Sequence, residues 1–130
     1  MADTVDTKVI NRGKRYYVVH LQNRSDGTGE SGITKVDISG LTNAAGATAT
    51  YSVVDRIEYS VWGFNHVRLD WDHTTDDEIA TLSGQGIIDW QPAGGNVDPQ
   101  TTGGTGDILL TTNGGASGSG YDITLWIRLK

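Results

Sequence analysis

The densest group of side chains capable of chemistry lies between Asp70 and Glu78, where six ionisable residues fall within nine positions. Carboxylate oxygens at this density are the ligands that a hard cation such as Ca²⁺ prefers. An EF-hand loop beginning at Asp70 would need glycine at its sixth position and glutamate at its twelfth, and those positions hold Thr75 and Thr81. The EF-hand interpretation therefore fails. A looser calcium site stays open beside the interpretation we favour, a solvated charged loop that discourages edge pairing.

No other pattern in the chain indicates catalysis or a bound cofactor. The sequence contains neither Gly-x-Ser-x-Gly nor His-Glu-x-x-His, the signatures of serine hydrolases and zinc peptidases. His20, His66 and His73 have spacings that no single strand or helix face would bring together as metal ligands. The glycine runs at 103–106 and 114–120 open no predicted helix, so they lack the row of amides that holds a phosphate. We therefore predict a protein that is not an enzyme and has no cofactor, metal or catalytic residue.

The tryptophans divide between packing and recognition. Trp71 and Trp90 lie on the apolar faces of their predicted strands, which favours core packing. Trp126 lies on the polar face of the last strand, and Arg128 follows two residues later on the same face. Tryptophan and arginine are enriched at the centres of protein interfaces. We predict that Trp126 and Arg128 form a protein interface; the competing interpretation is that a loop or the N-terminal arm covers the ring.

The strand that carries this pair places Tyr, Ile, Leu, Ile and Leu at the odd positions from Tyr121 to Leu129 and mostly polar residues at the even ones. This period of two is typical of a strand with one buried face. Because the strand ends one residue before the end of the chain, its partners must be strands formed earlier. The pattern therefore predicts an all-β domain that its last strand closes.

The composition limits the partners. With 130 residues, 18 of them glycine, and no cysteine, the chain is expected to form one domain with many turns and no disulfide. A net charge of -6 repels phosphate backbones and anionic lipid heads, so nucleic acid and membrane are not expected as partners. The segment Met1–Asp6 has neither a basic nor an apolar signal region, which predicts synthesis in the cytosol.

The elements that must position these residues are short strands. Residues 1–8 predict a flexible N-terminal arm and 9–130 a single domain, with an edge strand beginning near Lys8. The segments 51–62 and 66–72 are separated by a short turn and are expected to pair as an antiparallel hairpin. Eight or nine strands without an amphipathic helix favour a single-domain antiparallel β-sandwich of the jelly-roll type. Besides those two segments, the predicted strands cover 15–22, 33–38, 78–82, 86–91, 107–112 and 121–129.

Two parts of the chain resemble known proteins. The first is Ile10–Leu21 with Ser25–Gly32, and the second is Gly106–Thr112 leading to Tyr121–Leu125. Together they resemble a group of small virion structural proteins of tailed bacteriophages. The resemblance implies a capsid decoration or cement protein, made in the host cytoplasm, that binds the outer face of the head. Its implied partners are the major capsid protein lattice and further copies of itself, for example in a trimer.

Three functions stand as hypotheses at this point. The first is the capsid decoration protein that the resemblance implies, with the neck or tail as another position in the virion. The second is a carbohydrate-binding or lectin-like module, because tryptophans on a β-sandwich can stack on sugars. The third is a small hydrolase on a jelly roll, for which the chain offers only generic carboxylates such as Asp70 and Asp72.

Overall fold

The computed structural model describes residues 4–12, 16–38, 41, 46–49, 52–72, 76–97 and 107–129. Within these ranges the chain forms ten β-strands, and a short 3-10 helix follows β7 at Gln91–Ala93. No helix in the described part is long and apolar enough to cross a membrane. The strands are β1 (Thr4–Arg12), β2 (Tyr17–Asp26), β3 (Ile33–Val36), β4 (Ser52–Trp62), β5 (His66–Trp71), β6 (Asp77–Leu82), β7 (Gly84–Asp89), β8 (Asn96–Val97), β9 (Ile108–Asn113) and β10 (Ser117–Leu129).

The strands pair in a nested order along the chain. β2 pairs with β10, β3 with β9, β4 with β7 and β5 with β6, all antiparallel. The larger sheet has the order β1-β2-β10-β4-β7, with β8 also paired to β4, and the smaller sheet has the order β3-β9-β5-β6. The nested strands divide four and four between two sheets, which is the arrangement of a jelly roll. The predicted all-β, jelly-roll-like sandwich is confirmed.

One core lies between the sheets and draws side chains from both. In β10 the odd-numbered residues from Tyr121 to Ile127 are fully buried, and the even-numbered ones between them are partly exposed. Trp71 of β5 is fully buried in the same core, and Trp90 packs against it from its rim. The alternation predicted for the last strand and the packing predicted for these two tryptophans are therefore confirmed.

The predicted hairpin between segments 51–62 and 66–72 is wrong. β4 belongs to the larger sheet and β5 to the smaller one, so the turn between them crosses from sheet to sheet. Phe64 in that turn is buried in the core, and Gly63 before it has φ +80°, a conformation that glycine adopts without strain. A short turn between two strands indicated a hairpin by local rules, but burial of the phenyl ring sends the second strand to the opposite sheet.

The N-terminal segment also differs from its prediction. The predicted flexible arm, residues 1–8, belongs from Thr4 onward to β1, which pairs antiparallel with β2 as far as Arg12; residues 1–3 lie outside the described ranges. The polar composition of this segment suggested an arm, yet Val5, Thr7 and Val9 alternate with other residues as a strand does. Because β1 pairs with one side of β2 and β10 with the other, β2 is an interior strand of the larger sheet.

A buried ion pair joins the two sheets at one end of the sandwich. Lys35 of β3 places its Nζ 2.5 Å from Oε2 of Glu30, with side chains that are 5% and 7% exposed. Oε1 of Glu30 accepts hydrogen bonds from the Tyr121 hydroxyl of β10 (2.5 Å) and the Asn23 amide of β2 (2.8 Å). A buried carboxylate requires such partners, because the loss of hydration is otherwise uncompensated. Glu30 thus holds β3 of the smaller sheet to β2 and β10 of the larger one.

We predict that Lys35→Met destabilises the fold by about 3 kcal/mol, because it leaves the Glu30 carboxylate buried without its cation. The double variant with Glu30→Gln should recover part of the loss, since no buried charge then remains. Urea denaturation monitored by tryptophan fluorescence measures both effects. Glu58→Gln is the control, because it weakens the half-exposed pair with Arg56 and should cost under about 1 kcal/mol. Equal losses of unfolding free energy for Lys35→Met and the control would contradict the role of the Lys35–Glu30 pair in holding the sheets together.

Candidate functional site

The side of the larger sheet that faces away from the core is a broad surface, which we call the outer face. The even-numbered residues of β10 project from it, because their odd-numbered neighbours fill the core. The register places the side chains of neighbouring strands beside them in rows. These rows are Gln22, Asp122 and Ser60; His20, Thr124 and Glu58; and Val18, Trp126 and Arg56.

Trp126 is partly buried on the outer face and has an arginine beside its ring. The guanidinium carbon of Arg56 lies 5.1 Å from the centre of the ring, a cation–π distance. Nη2 of Arg56 also lies 2.7 Å from Oε1 of Glu58. The structure therefore contains a Trp/Arg pair on the predicted face of β10. The arginine of this pair is Arg56 of β4, and the predicted Arg128 is not at the ring.

Arg128, the other predicted interface residue, makes contacts inside the chain. Its Nε donates to Oδ2 of Asp55 at 2.7 Å, and Nη2 donates to Oδ1 of Asp55 at 3.0 Å and to the Gly94 carbonyl oxygen at 2.6 Å. The hydrogen bond with Asp55 raises the pKa of Arg128. Asp55 is only 2% exposed, so Arg128 compensates a buried charge and holds the Gly94 turn to the sheet. Whether Trp126 or Arg128 contacts another protein stays a prediction.

A shallow groove crosses the outer face between β10, β4 and β7. Its volume is about 620 Å³, and its lining mixes carboxylate, amide, hydroxyl and apolar groups. Nε2 of His20 lies 3.2 Å from Oδ1 of Asp122, whose side chain is 41% exposed. The groove offers hydrogen-bond donors and acceptors to a ligand in solution. Its lining includes Glu58, Ser60, Gln85, Ile87, Asp122 and Thr124.

Trp62 is a surface residue that the sequence offers only as one of four tryptophans able to stack on sugars. It ends β4 and is 41% exposed, and its Nε1 donates to the Gly118 carbonyl oxygen at 3.1 Å. The indole occupies the space above Gly120, where an added Cβ would lie 2.6 Å from Cζ2 of the ring. The signal for it was present, because Trp62 continues the even-numbered series of Arg56, Glu58 and Ser60 on the polar side of the strand.

The acidic segment predicted as a solvated loop lies partly in strands, because Asp70 belongs to β5 and Asp77 and Glu78 belong to β6. Asp70 ends up buried in β5, where Nε of Arg68 donates to its Oδ2 at 3.0 Å. Burial raises the pKa of Asp70, and the Arg68 hydrogen bond opposes that rise. His73 lies outside the described ranges. In the part of the chain that is described, no group of three or more His, Asp or Glu side chains is placed to hold a metal ion. His20 and His66 lie in different sheets.

Comparisons with known proteins do not assign the chain to a family. No protein-family model matches the sequence, and no curated protein matches it. Among solved structures, the chain is similar to one titled "Carbohydrate binding module family29", with a TM-score of 0.42 and 11% identity over 99% of this chain and 74% of that one. At this level the similarity carries no information about ligand or activity.

We predict that Arg128→Met destabilises the protein by about 3 kcal/mol, because it leaves the Asp55 carboxylate buried without its bidentate partner. The double variant with Asp55→Asn should recover part of the loss. Trp126→Ala, on the same strand, should cost less because its ring is only partly buried. Thermal unfolding of the three variants measures the order of their stability losses. A larger loss for Trp126→Ala than for Arg128→Met would contradict the assignment of Arg128 as the structural residue of the two.

Proposed function

We propose that this protein is a non-enzymatic structural component of a tailed-phage virion, a decoration protein that binds the exterior of the capsid. The observation that carries the proposal is the outer face, where Trp126 with Arg56 and the exposed Trp62 stand among charged and polar side chains. Aromatic residues and arginine surrounded by polar groups are typical of protein-binding surfaces. The sequence resemblance to phage virion proteins supplies the kind of partner, the major capsid protein lattice.

The size of the outer face fits a contact that is repeated over a lattice. Five strands about 4.8 Å apart give a width of roughly 20 Å, and nine residues of a strand give a length of about 30 Å. The resulting area of roughly 600 Å² is below the 800 Å² or so that each partner buries in a standard interface. A single contact of this size is weak, but copies that bind neighbouring lattice positions gain avidity. The acidic net charge suits the outside of a shell better than a surface that lines DNA.

The test is the addition of purified protein to phage heads that lack it. We expect binding and a higher disruption temperature of the heads. Trp126→Ala should weaken binding about 30-fold, which corresponds to the 2 kcal/mol typical of a hot-spot residue. Ile33→Ala is the control, because it removes an exposed apolar side chain from the smaller sheet and should bind normally. Binding to necks or tails alone would reject the capsid position, and binding to no virion part would reject the proposal.

A carbohydrate-binding module is the second candidate, and the position of Trp62 favours it. Its exposed indole stands over Gly120, one row beyond Ser60 and Asp122 of the groove. An aromatic ring next to hydroxyl, amide and carboxylate groups suits a sugar, which presents an apolar ring face and polar edges. The partner would then be a glycan in place of a protein lattice.

For this second candidate we predict retention of the protein on an immobilised polysaccharide or a hit on a glycan array. Trp62→Ala should remove the binding, because the stacking surface is lost, and Ile33→Ala should keep it. Circular dichroism verifies that both variants fold. The absence of any hit across a broad array, or binding that survives Trp62→Ala, would reject sugar stacking at this site.

A further inference from the structure

β1 forms an open edge with an apolar stripe. It is the terminal strand of the larger sheet, and among the described residues it has a strand partner only on its β2 side. Val5 and Val9 pair with Asn23 and Val19, which are both fully buried. Directly paired residues lie on the same side of a sheet, so the two valines face the same side as the core. They are nevertheless 46% and 41% exposed, so the fold leaves this apolar stripe largely uncovered.

The regular part of this edge is complementary to itself. If two copies of β1 run antiparallel with Thr7 opposite Thr7, Val5 lies opposite Val9 and Asp6 lies opposite Lys8. Opposite charges and β-branched residues in directly facing positions stabilise an antiparallel pair. The apolar stripes of the two copies then form one longer stripe, and the two Asp6–Lys8 pairs lie on the opposite side of the sheet.

The neighbouring registers lack this complementarity. A shift of two residues in one direction places Asp6 opposite Asp6, and a shift in the other direction places Lys8 opposite Lys8. Like charges that face each other directly destabilise a strand pair. The pairing of β1 with β2 becomes irregular between Val9 and Asn11. The regular part of β1 therefore ends at Val9, which is also the last residue of the self-complementary segment from Val5 to Val9. Sequence and backbone thus select a single register.

We propose that β1 is a homodimer interface, in which the larger sheets of two copies join edge to edge about a two-fold axis through Thr7. Such pairing satisfies the open backbone groups of both edges and closes the assembly at two copies. The axis is perpendicular to the sheet, so both outer faces look toward the same side. If the outer face binds a lattice or a glycan as proposed above, the dimer binds with two sites at once; the dimer itself does not depend on that function.

Sedimentation equilibrium of the full chain tests the dimer. Asp6→Lys places a lysine opposite Lys8 of the second copy and should raise the dimer dissociation constant roughly ten-fold or more. Lys8→Asp should do the same. The double variant Asp6→Lys with Lys8→Asp restores opposite charges in the same register and should recover the dimer. All three variants keep the buried ion pair of Lys35 with Glu30. Urea denaturation verifies that each variant folds.

A second measurement uses the absence of cysteine from the chain. Thr7→Cys places two thiols at the proposed axis and should give a disulfide-linked dimer on mild oxidation, whereas Ser83→Cys, an exposed position between β6 and β7, should not. A monomeric or trimeric wild-type chain, single variants that associate like the wild type, or a double variant that fails to recover the dimer would each overturn the proposal.

Discussion

The structure depends on the insertion of its last strand between two earlier ones. β10 pairs with β2 along one edge and with β4 along the other, so without it the larger sheet would separate into β1-β2 and β4-β7. Its partners lie far away in the sequence, and closing such loops costs conformational entropy before any contact repays it. Burial of the odd-numbered residues of β10 offsets this entropy cost, because Tyr121, Ile123, Leu125 and Ile127 are all fully buried in the core.

The cluster around Glu30 complements this insertion at one end of the sandwich. The loop that carries Glu30 is also bound to β9, since the Glu30 amide donates to Oγ1 of Thr112 and the Gly32 amide donates to Oγ1 of Thr111. The loop that carries Glu30 is therefore held to β9 through its backbone amides and to β10 through the Glu30 carboxylate. These contacts hold the two sheets together at that end of the sandwich.

The same insertion gives β10 a second role on the outer face. With neighbours on both sides, its even-numbered side chains stand in the middle of the surface, and Arg56 from β4 and Val18 from β2 flank Trp126. The groove and Trp62 extend this surface toward β7 and the end of β4. β1 forms the other edge of the sheet. Its exposed Val5 and Val9 lie on the side of the sheet that faces the core. The outer face with Trp126 and Trp62 and the open edge of β1 thus belong to one sheet.

The sequence by itself determined the all-β fold class, the buried side of the last strand and the packing of Trp71 and Trp90 in or against the core. It could do so because the alternation of apolar and polar residues along a strand is a local property with a period of two. Only the tertiary structure decided which strands are neighbours. A short turn does not reveal that a buried Phe64 directs β4 and β5 into different sheets. The spacing of Trp126 and Arg128 does not reveal that Arg56 lies at the ring while Arg128 bonds to Asp55. The register irregularity between Trp126 and Ile127 and the pairing of β1 arise between residues distant in sequence, and no local pattern records them.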